Sequence, residues 1–318
     1  MGKNLNSLFR NLVYNILLKN FAWLQRIGAF HKLWKWVSLP VFDLKTTLFG
    51  SEIIMPSTYV FPLLARAYPT FNDPYLELAY QLHQQKKTPL SIVDVGAAIG
   101  DTFLFIYKNI PEAVDEIVCI EGHPHFYKYL EANTRKYSVV VRSLAVLSDK
   151  EESIPDLVRT HASSASSQGS SLVTAKPLDE LLPTLTSKHI DLVKIDVDGF
   201  DGKVLAGAKD ILRRFQPHVI FEYHPQLIQN TGNDLMTPFA ALRECGYSTM
   251  LWFDKYGVFS HRNFSSVTEA LRKHVNDYLK QNKEDDIHFD IIALPGNSKI
   301  DVSVLQACEF SKRKKIFY

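Results

Sequence analysis

The 318 residues, 46% hydrophobic and 22% charged, suffice for one large α/β domain with additions and argue against a disordered chain. A formal charge of +2 removes the electrostatic case for a nucleic-acid binder. Three scattered cysteines (Cys119, Cys245 and Cys308) cannot all pair and lack metal-ligand spacing, which argues against a disulfide framework or a zinc site and suits a reducing, cytoplasmic setting.

Residues 1–42 hold Lys3, Arg10, Lys19, Arg26, Lys32 and Lys35 and no acid, interleaved with Phe9, Phe21, Trp23, Trp34 and Trp36. The uncharged run from Asn11 to Leu18 is too short to span a bilayer and no small-residue cleavage site follows, so neither a transmembrane helix nor a signal peptide is expected. Leu5, Phe9, Leu12 and Ile16 share one helical face. A helix lying on an anionic membrane, making the protein peripheral there, and a helix packed on the main domain or on a second copy both fit this pattern. Residues 43–87, with four prolines, read as a connector.

From residue 88 short apolar runs alternate with helical segments, the pattern of a mostly parallel sheet covered on both faces. Strands are expected at 90–95, 115–120, 139–142, 190–196, 217–223, 247–252 and 288–294, and helices near 101–109, 124–136, 177–182, 201–214 and 234–245. This domain runs to 298, with an insertion at 254–286 holding an amphipathic helix at 267–281, and a tail at 299–318 that ends in a basic run after Ser311. The serine-rich stretch 160–171 has no apolar period and reads as a mobile loop, placed where it could cover a substrate.

Three motifs carry chemistry. The first strand breaks into Asp94-Val95-Gly96-Ala97-Ala98-Ile99-Gly100, a turn whose glycines admit a ligand and let the following helix pack closely. The second strand ends in Glu121, placed to accept hydrogen bonds from both hydroxyls of a ribose. The glycine spacing is not the G-x-G-x-x-G of dinucleotide binders, so S-adenosyl-L-methionine is a better match than NAD. The strand ending at Asp196 delivers Asp196, Asp198 and Asp201, with Asp196 and Asp198 on one side if the strand stays extended, and the strand ending at Tyr223 delivers Glu222 and His224 to a common side.

These motifs, together with Leu178-Asp179-Glu180-Leu181, Lys194-Ile195-Asp196-Val197-Asp198-Gly199 and Val204-Leu205-Ala206-Gly207-Ala208, resemble the FkbM-type S-adenosylmethionine-dependent methyltransferases over about residues 90 to 225. The resemblance implies a class I, Rossmann-like methyltransferase fold with a seven-stranded sheet whose last strand is antiparallel, and O-methylation of a sugar or related hydroxyl. The family commonly has Asn in place of Ala98, Pro in place of Gly122 and Glu in place of Asp198. It further implies that Asp94 and the Gly96 to Gly100 amides hold the methionine end, Glu121 the ribose and Ala145 to Leu147 the adenine, with Ala97, Asp101, Thr102 and Gly122 completing the contacts.

For transfer to oxygen, Asp196, Asp198, Glu222 and His224 are the candidates to orient or deprotonate the acceptor, with His224 the natural base near neutral pH. A magnesium or manganese ion held by Asp196, Asp198 and Glu222 is the alternative. The expected partner is a carbohydrate or lipid-linked glycan. Two rival readings are a catalytically silent binding module and an NAD-dependent oxidoreductase.

Overall fold

The computed structural model describes residues 2–20, 38, 41–68, 70–159, 165–264 and 288–310. The expected helix at 267–281, the basic run after Ser311, the aromatics Phe21, Trp23, Trp34 and Trp36, and residues 160–164 of the serine-rich stretch lie outside the described residues.

Helix α1 (Gly2–Lys19) precedes a hairpin of β1 (Asp43–Leu48) and β2 (Ser51–Pro56), then α2 (Phe61–Ala67) and α3 (Asp73–Lys86). Next come β3 (Leu90–Val95), α4 (Asp101–Asn109), β4 (Val114–Glu121), α5 (Pro124–Thr134), β5 (Val140–Leu144), β6 (Val146–Leu147), β7 (Glu152–Arg159), β8 (Ala165–Lys176) and α6 (Leu178–Leu185). The remainder is β9 (Leu192–Ile195), α7 (Asp201–Ala206), α8 (Lys209–Phe215), β10 (His218–Tyr223), α9 (Pro225–Asn230), α10 (Thr237–Glu244), β11 (Tyr247–Asp254), β12 (Phe259–Phe264), β13 (Phe289–Pro295) and α11 (Val302–Ala307).

The main sheet runs β5-β4-β3-β9-β10-β13-β11-β12. It is parallel from β5 to β10, and β13 inserts antiparallel to both β10 and β11. That order, with an antiparallel last strand, is the class I methyltransferase arrangement. An eighth strand departs from the expected seven: β12, read from the sequence as insertion, pairs with β11 and covers what would otherwise be an open edge. Every residue of β3 is buried, as a central parallel strand covered on both faces requires. Its side chains alternate between two cores: Leu90 and Ile92 join Tyr75, Phe103 and Leu130 on one face, Val93 and Val95 join Leu205, Phe239 and Leu242 on the other.

The structure supplies the form of the connector, which the sequence leaves open, and departs from expectation in two further segments. The connector is ordered structure packed on the first core: its hairpin turns at Phe49 and Gly50, both left-handed (φ 47° and 71°), and buries Leu44, Leu48, Ile53 and Met55. Residues 165–171 of the serine-rich stretch are strand, because β8 pairs with β7 and so satisfies its backbone in a hairpin while Ser170 and Ser171 face solvent. The single helix expected at 201–214 breaks into α7 and α8 at Gly207, where a Cβ would lie 2.2 Å from the Ser148 carbonyl oxygen and where the Gly207 carbonyl accepts the Asp179 N–H. The Asp179 carboxylate then accepts the N–H groups of Asp210 and Ile211, both at 2.9 Å, capping α8 from outside; this motif residue is structural.

Candidate functional site

The carboxyl ends of β3, β4, β9 and β10 open into a cavity of about 720 Å³. Its floor is the turn after β3, where Gly96, Ala98 and Gly100 are left-handed (φ 82°, 45° and 86°). A Cβ at Gly96 would lie 1.8 Å from the Asp196 carbonyl oxygen, so only glycine lets the β3 and β9 ends approach this closely. The turn is tied down by the Gly96 and Ala97 N–H groups donating to the Ile120 carbonyl (2.9 and 3.1 Å) and by the Ala98 N–H donating to Glu121 Oε2 (2.8 Å).

Glu121 stands at the wall, 7% exposed, and its Oε1 accepts the His123 N–H at 2.7 Å. Burial outweighs these two hydrogen bonds and pushes its carboxyl up to about 8. Beside it, Ile120, Gly122, Ala145, Val146, Leu147 and Leu157 form a largely apolar slot.

The opposite end is acidic. Sheet register sets Lys194 across from Asp94, and Lys194 Nζ lies 2.9 Å from Asp196 Oδ2 and 4.0 Å from Asp94 Oδ1. Burial works against the charge on Lys194, but the carboxylates of Asp196 and Asp94 outweigh it and hold the ammonium charged. Both oxygens of Asp94 lack a hydrogen-bond partner among the described residues, and burial raises its carboxyl to about 6. Register likewise pairs Glu222 with Asp290 across β10 and β13. Glu222 Oε2 has no hydrogen-bond partner among the described residues, and burial followed by the charges of Asp196 and Asp198 holds that carboxyl well above its ordinary range. The His288 ring, 5.5 Å from His224 and near parallel to it, brings Nε2 to 3.9 Å from Glu222 Oε1.

Of the residues expected from sequence, Gly96, Asp101, Thr102, Glu121, Gly122, Ala145, Asp196, Asp198, Glu222 and His224 all line this one cavity. Asp94, Ala97 and Gly100 are buried behind the wall: Asp94 has no exposed surface, Ala97 is spent on the Ile120 carbonyl, and Gly100 packs under Thr134 and Leu130 of α5. The shared side of Asp196 and Asp198 does not follow from an extended strand, because β9 ends at Ile195 and Asp198 is left-handed (φ 51°) in the turn to α7. Asp201 leaves the acidic cluster and folds back to accept the Val197 and Gly199 N–H groups (3.3 and 3.2 Å).

Among the described residues no group of three His, Cys, Asp or Glu side chains is arranged to hold a metal ion; Asp196, the central member of the expected set, is engaged by Lys194. His224 caps α9, its Nδ1 accepting the Leu227 N–H at 3.4 Å, so the neutral ring carries its hydrogen on Nε2.

The cavity also contains residues to which the sequence reading gave no role. Lys194, His288 and Asp290 line it from the sheet, and Tyr59 from the connector donates its hydroxyl to Asp101 Oδ2 at 3.0 Å. Tyr68, before α3, lies against Tyr256, after β11, with ring centroids 4.1 Å apart and the rings tilted by 34°. Lys194 sat inside a quoted motif and could have been singled out as a buried cation; Tyr59 and Tyr68 carry no local signal.

The ligand chemistry this wall suits has three parts: an apolar slot for a flat ring, a carboxyl for a diol, and an anionic end for a cationic group. The residues thus fit S-adenosylmethionine. No curated protein matches the chain. Solved structures similar to it include the methyltransferase FkbM from Methylobacillus flagellatus KT (13% identity, TM-score 0.40, covering 65% of this chain and 44% of that one). Others are M. jannaschii TYW2 in complex with AdoMet (12%, 0.38, 79% and 84%) and an O-methyltransferase from Bacillus cereus in complex with SAH (12%, 0.37, 70% and 80%). The chain thus spans less than half the length of the FkbM structure. The family model of the methyltransferase FkbM domain matches residues 94–249, just under half of the chain.

Proposed function

We propose that the protein is an S-adenosylmethionine-dependent O-methyltransferase acting on a hydroxyl of a carbohydrate or lipid-linked glycan. The observation that carries the reading is the joining, in one cavity, of Glu121 beside an apolar slot with the acidic end formed by Asp196, Asp198 and Glu222. S-adenosylmethionine supplies, when bound, an electrophilic methyl group on a cationic sulfur. Glu121 accepts hydrogen bonds from the ribose hydroxyls, and Ala145, Val146 and Leu147 exclude water from the adenine face. Asp94, at the base of the glycine turn, adds negative charge without touching the ligand.

At the acceptor, Glu222 is the proton acceptor: its Oε2 lacks a partner among the described residues, and burial raises its carboxyl's affinity for a proton. The Nε2 hydrogen of His224 orients the acceptor oxygen, and Asp198 holds a neighbouring hydroxyl. The glycan part rests on the family resemblance; the Tyr68 and Tyr256 rings at the cavity offer apolar surface that a sugar face can cover.

The test follows labelled methyl transfer from S-adenosylmethionine into glycan acceptors, with calorimetric titration of S-adenosylhomocysteine and NAD in parallel. Glu222→Gln is expected to lower kcat at least 100-fold, as loss of a general base does, with binding of S-adenosylhomocysteine unchanged. Binding of NAD alone would support the oxidoreductase. Cofactor binding by wild type without methylation of any hydroxyl acceptor would favour the silent module.

A further inference from the structure

Helix α1 is held to the body of the protein by one face. Tyr14 and Leu17 are buried in the first core. Asn11 Oδ1 accepts the Lys45 N–H (3.1 Å), Asn15 Nδ2 donates to the Lys45 carbonyl (3.3 Å), and Thr46 Oγ1 donates to Asn15 Oδ1 (2.7 Å). The Tyr14 hydroxyl donates to the carbonyl of Tyr59, the residue whose own hydroxyl reaches Asp101 in the cavity wall. These contacts fix the rotation of the helix about its axis.

The opposite face, at spacing i, i+3, i+7, presents Phe9, Leu12 and Ile16, which are 57%, 60% and 48% exposed. Three large apolar side chains in one exposed stripe on a docked helix are unusual for a surface that meets only water. The charge of the amino-terminal sequence points to the occupant: residues 1–42 hold six Lys and Arg and no Asp or Glu. No helix among the described residues is long and apolar enough to cross a membrane, so α1 would lie along a lipid surface.

We propose that α1 is an interfacial helix that seats the protein on an anionic lipid surface through Phe9, Leu12 and Ile16. The opposite, polar-clamped face then connects that surface to the cavity wall through Tyr14 and Tyr59. The inference is independent of the methyl-transfer reading.

The test is co-sedimentation of the full chain with vesicles of phosphatidylcholine alone and of phosphatidylcholine with about one-third phosphatidylglycerol. Binding is expected to the mixed vesicles, to weaken as salt is raised, and to fall about tenfold or more in Leu12→Asp and in Phe9→Ser, whose side chains meet solvent and whose thermal midpoints should match wild type. Absence of binding to the anionic vesicles at low salt, or equal binding by both variants, overturns the proposal. So does a lipid-free dimer that Leu12→Asp converts to monomer, because the stripe would then belong to a second copy of the chain.

Discussion

Replacing Glu121 with Ala removes two interactions of different kinds, and the structure separates their sizes. Both carboxyl oxygens accept backbone N–H groups, from Ala98 at 2.8 Å and His123 at 2.7 Å. An unsatisfied buried donor costs about 1 to 3 kcal/mol; with the cavity alongside, water can reach both, and the lower end applies, about 2 kcal/mol in total. The second loss is the acceptor for the ribose hydroxyls, worth about 2 kcal/mol, or roughly 30-fold in affinity.

Urea denaturation measures the first and calorimetric titration of S-adenosylhomocysteine the second, at about pH 9 so that the Glu121 carboxyl, near 8, is ionised. Glu121→Gln should recover part of the stability, since its amide oxygen still accepts one N–H, while its NH2 group faces the other as donor against donor. A folded Glu121→Ala protein that binds S-adenosylhomocysteine within threefold of wild type would refute the assignment of Glu121 to the ribose.

Ala98 is left-handed where the family commonly has Asn, a conformation that costs a residue with a Cβ about 1 kcal/mol, so Ala98→Gly should raise stability by about 0.5 to 1 kcal/mol in urea denaturation; a loss of stability would show that the turn is not strained there. Burial raises the carboxyls of Asp101 to about 7 and of Asp201 to about 8, whereas in the unfolded chain both fall near 4. Their contribution to stability is therefore complete below about pH 4 and lost as pH rises through 7 and 8, at about 1 kcal/mol per pH unit for each proton released. The thermal midpoint of the ligand-free protein should fall between about pH 5 and pH 8, less steeply in Asp201→Asn, and a midpoint that climbs over that range would contradict these shifts.

Local residue order determined a large part of this protein. The apolar runs around Ile92, Val118, Val193 and Phe221 are strands because they can be buried on both sides, and the residues that end them, from Gly96 to His224, meet in one cavity because parallel strands align their carboxyl ends. The apolar face of α1 was equally legible from its period, though not which side of the helix would dock.

Tertiary structure decided what depends on register and on distant packing. Asp290 faces Glu222 only because β13 inserts between β10 and β11, and Lys194 stands beside Asp94 only because β9 pairs with β3. The Asp179 carboxylate became the cap of a helix some thirty residues onward, and Asp201 turned into its own loop, so two acids that read as alike in sequence serve the scaffold while Asp196 and Asp198 face the cavity. Tyr59 and Tyr68 reach that cavity from a proline-rich segment with no periodic signal, since their position follows from burial of the hairpin and α3 against the sheet. Chain-local patterns record which face of an element is apolar; which faces and ends meet is settled by the packing of elements far apart in sequence, and most of the polar contacts of this site form there.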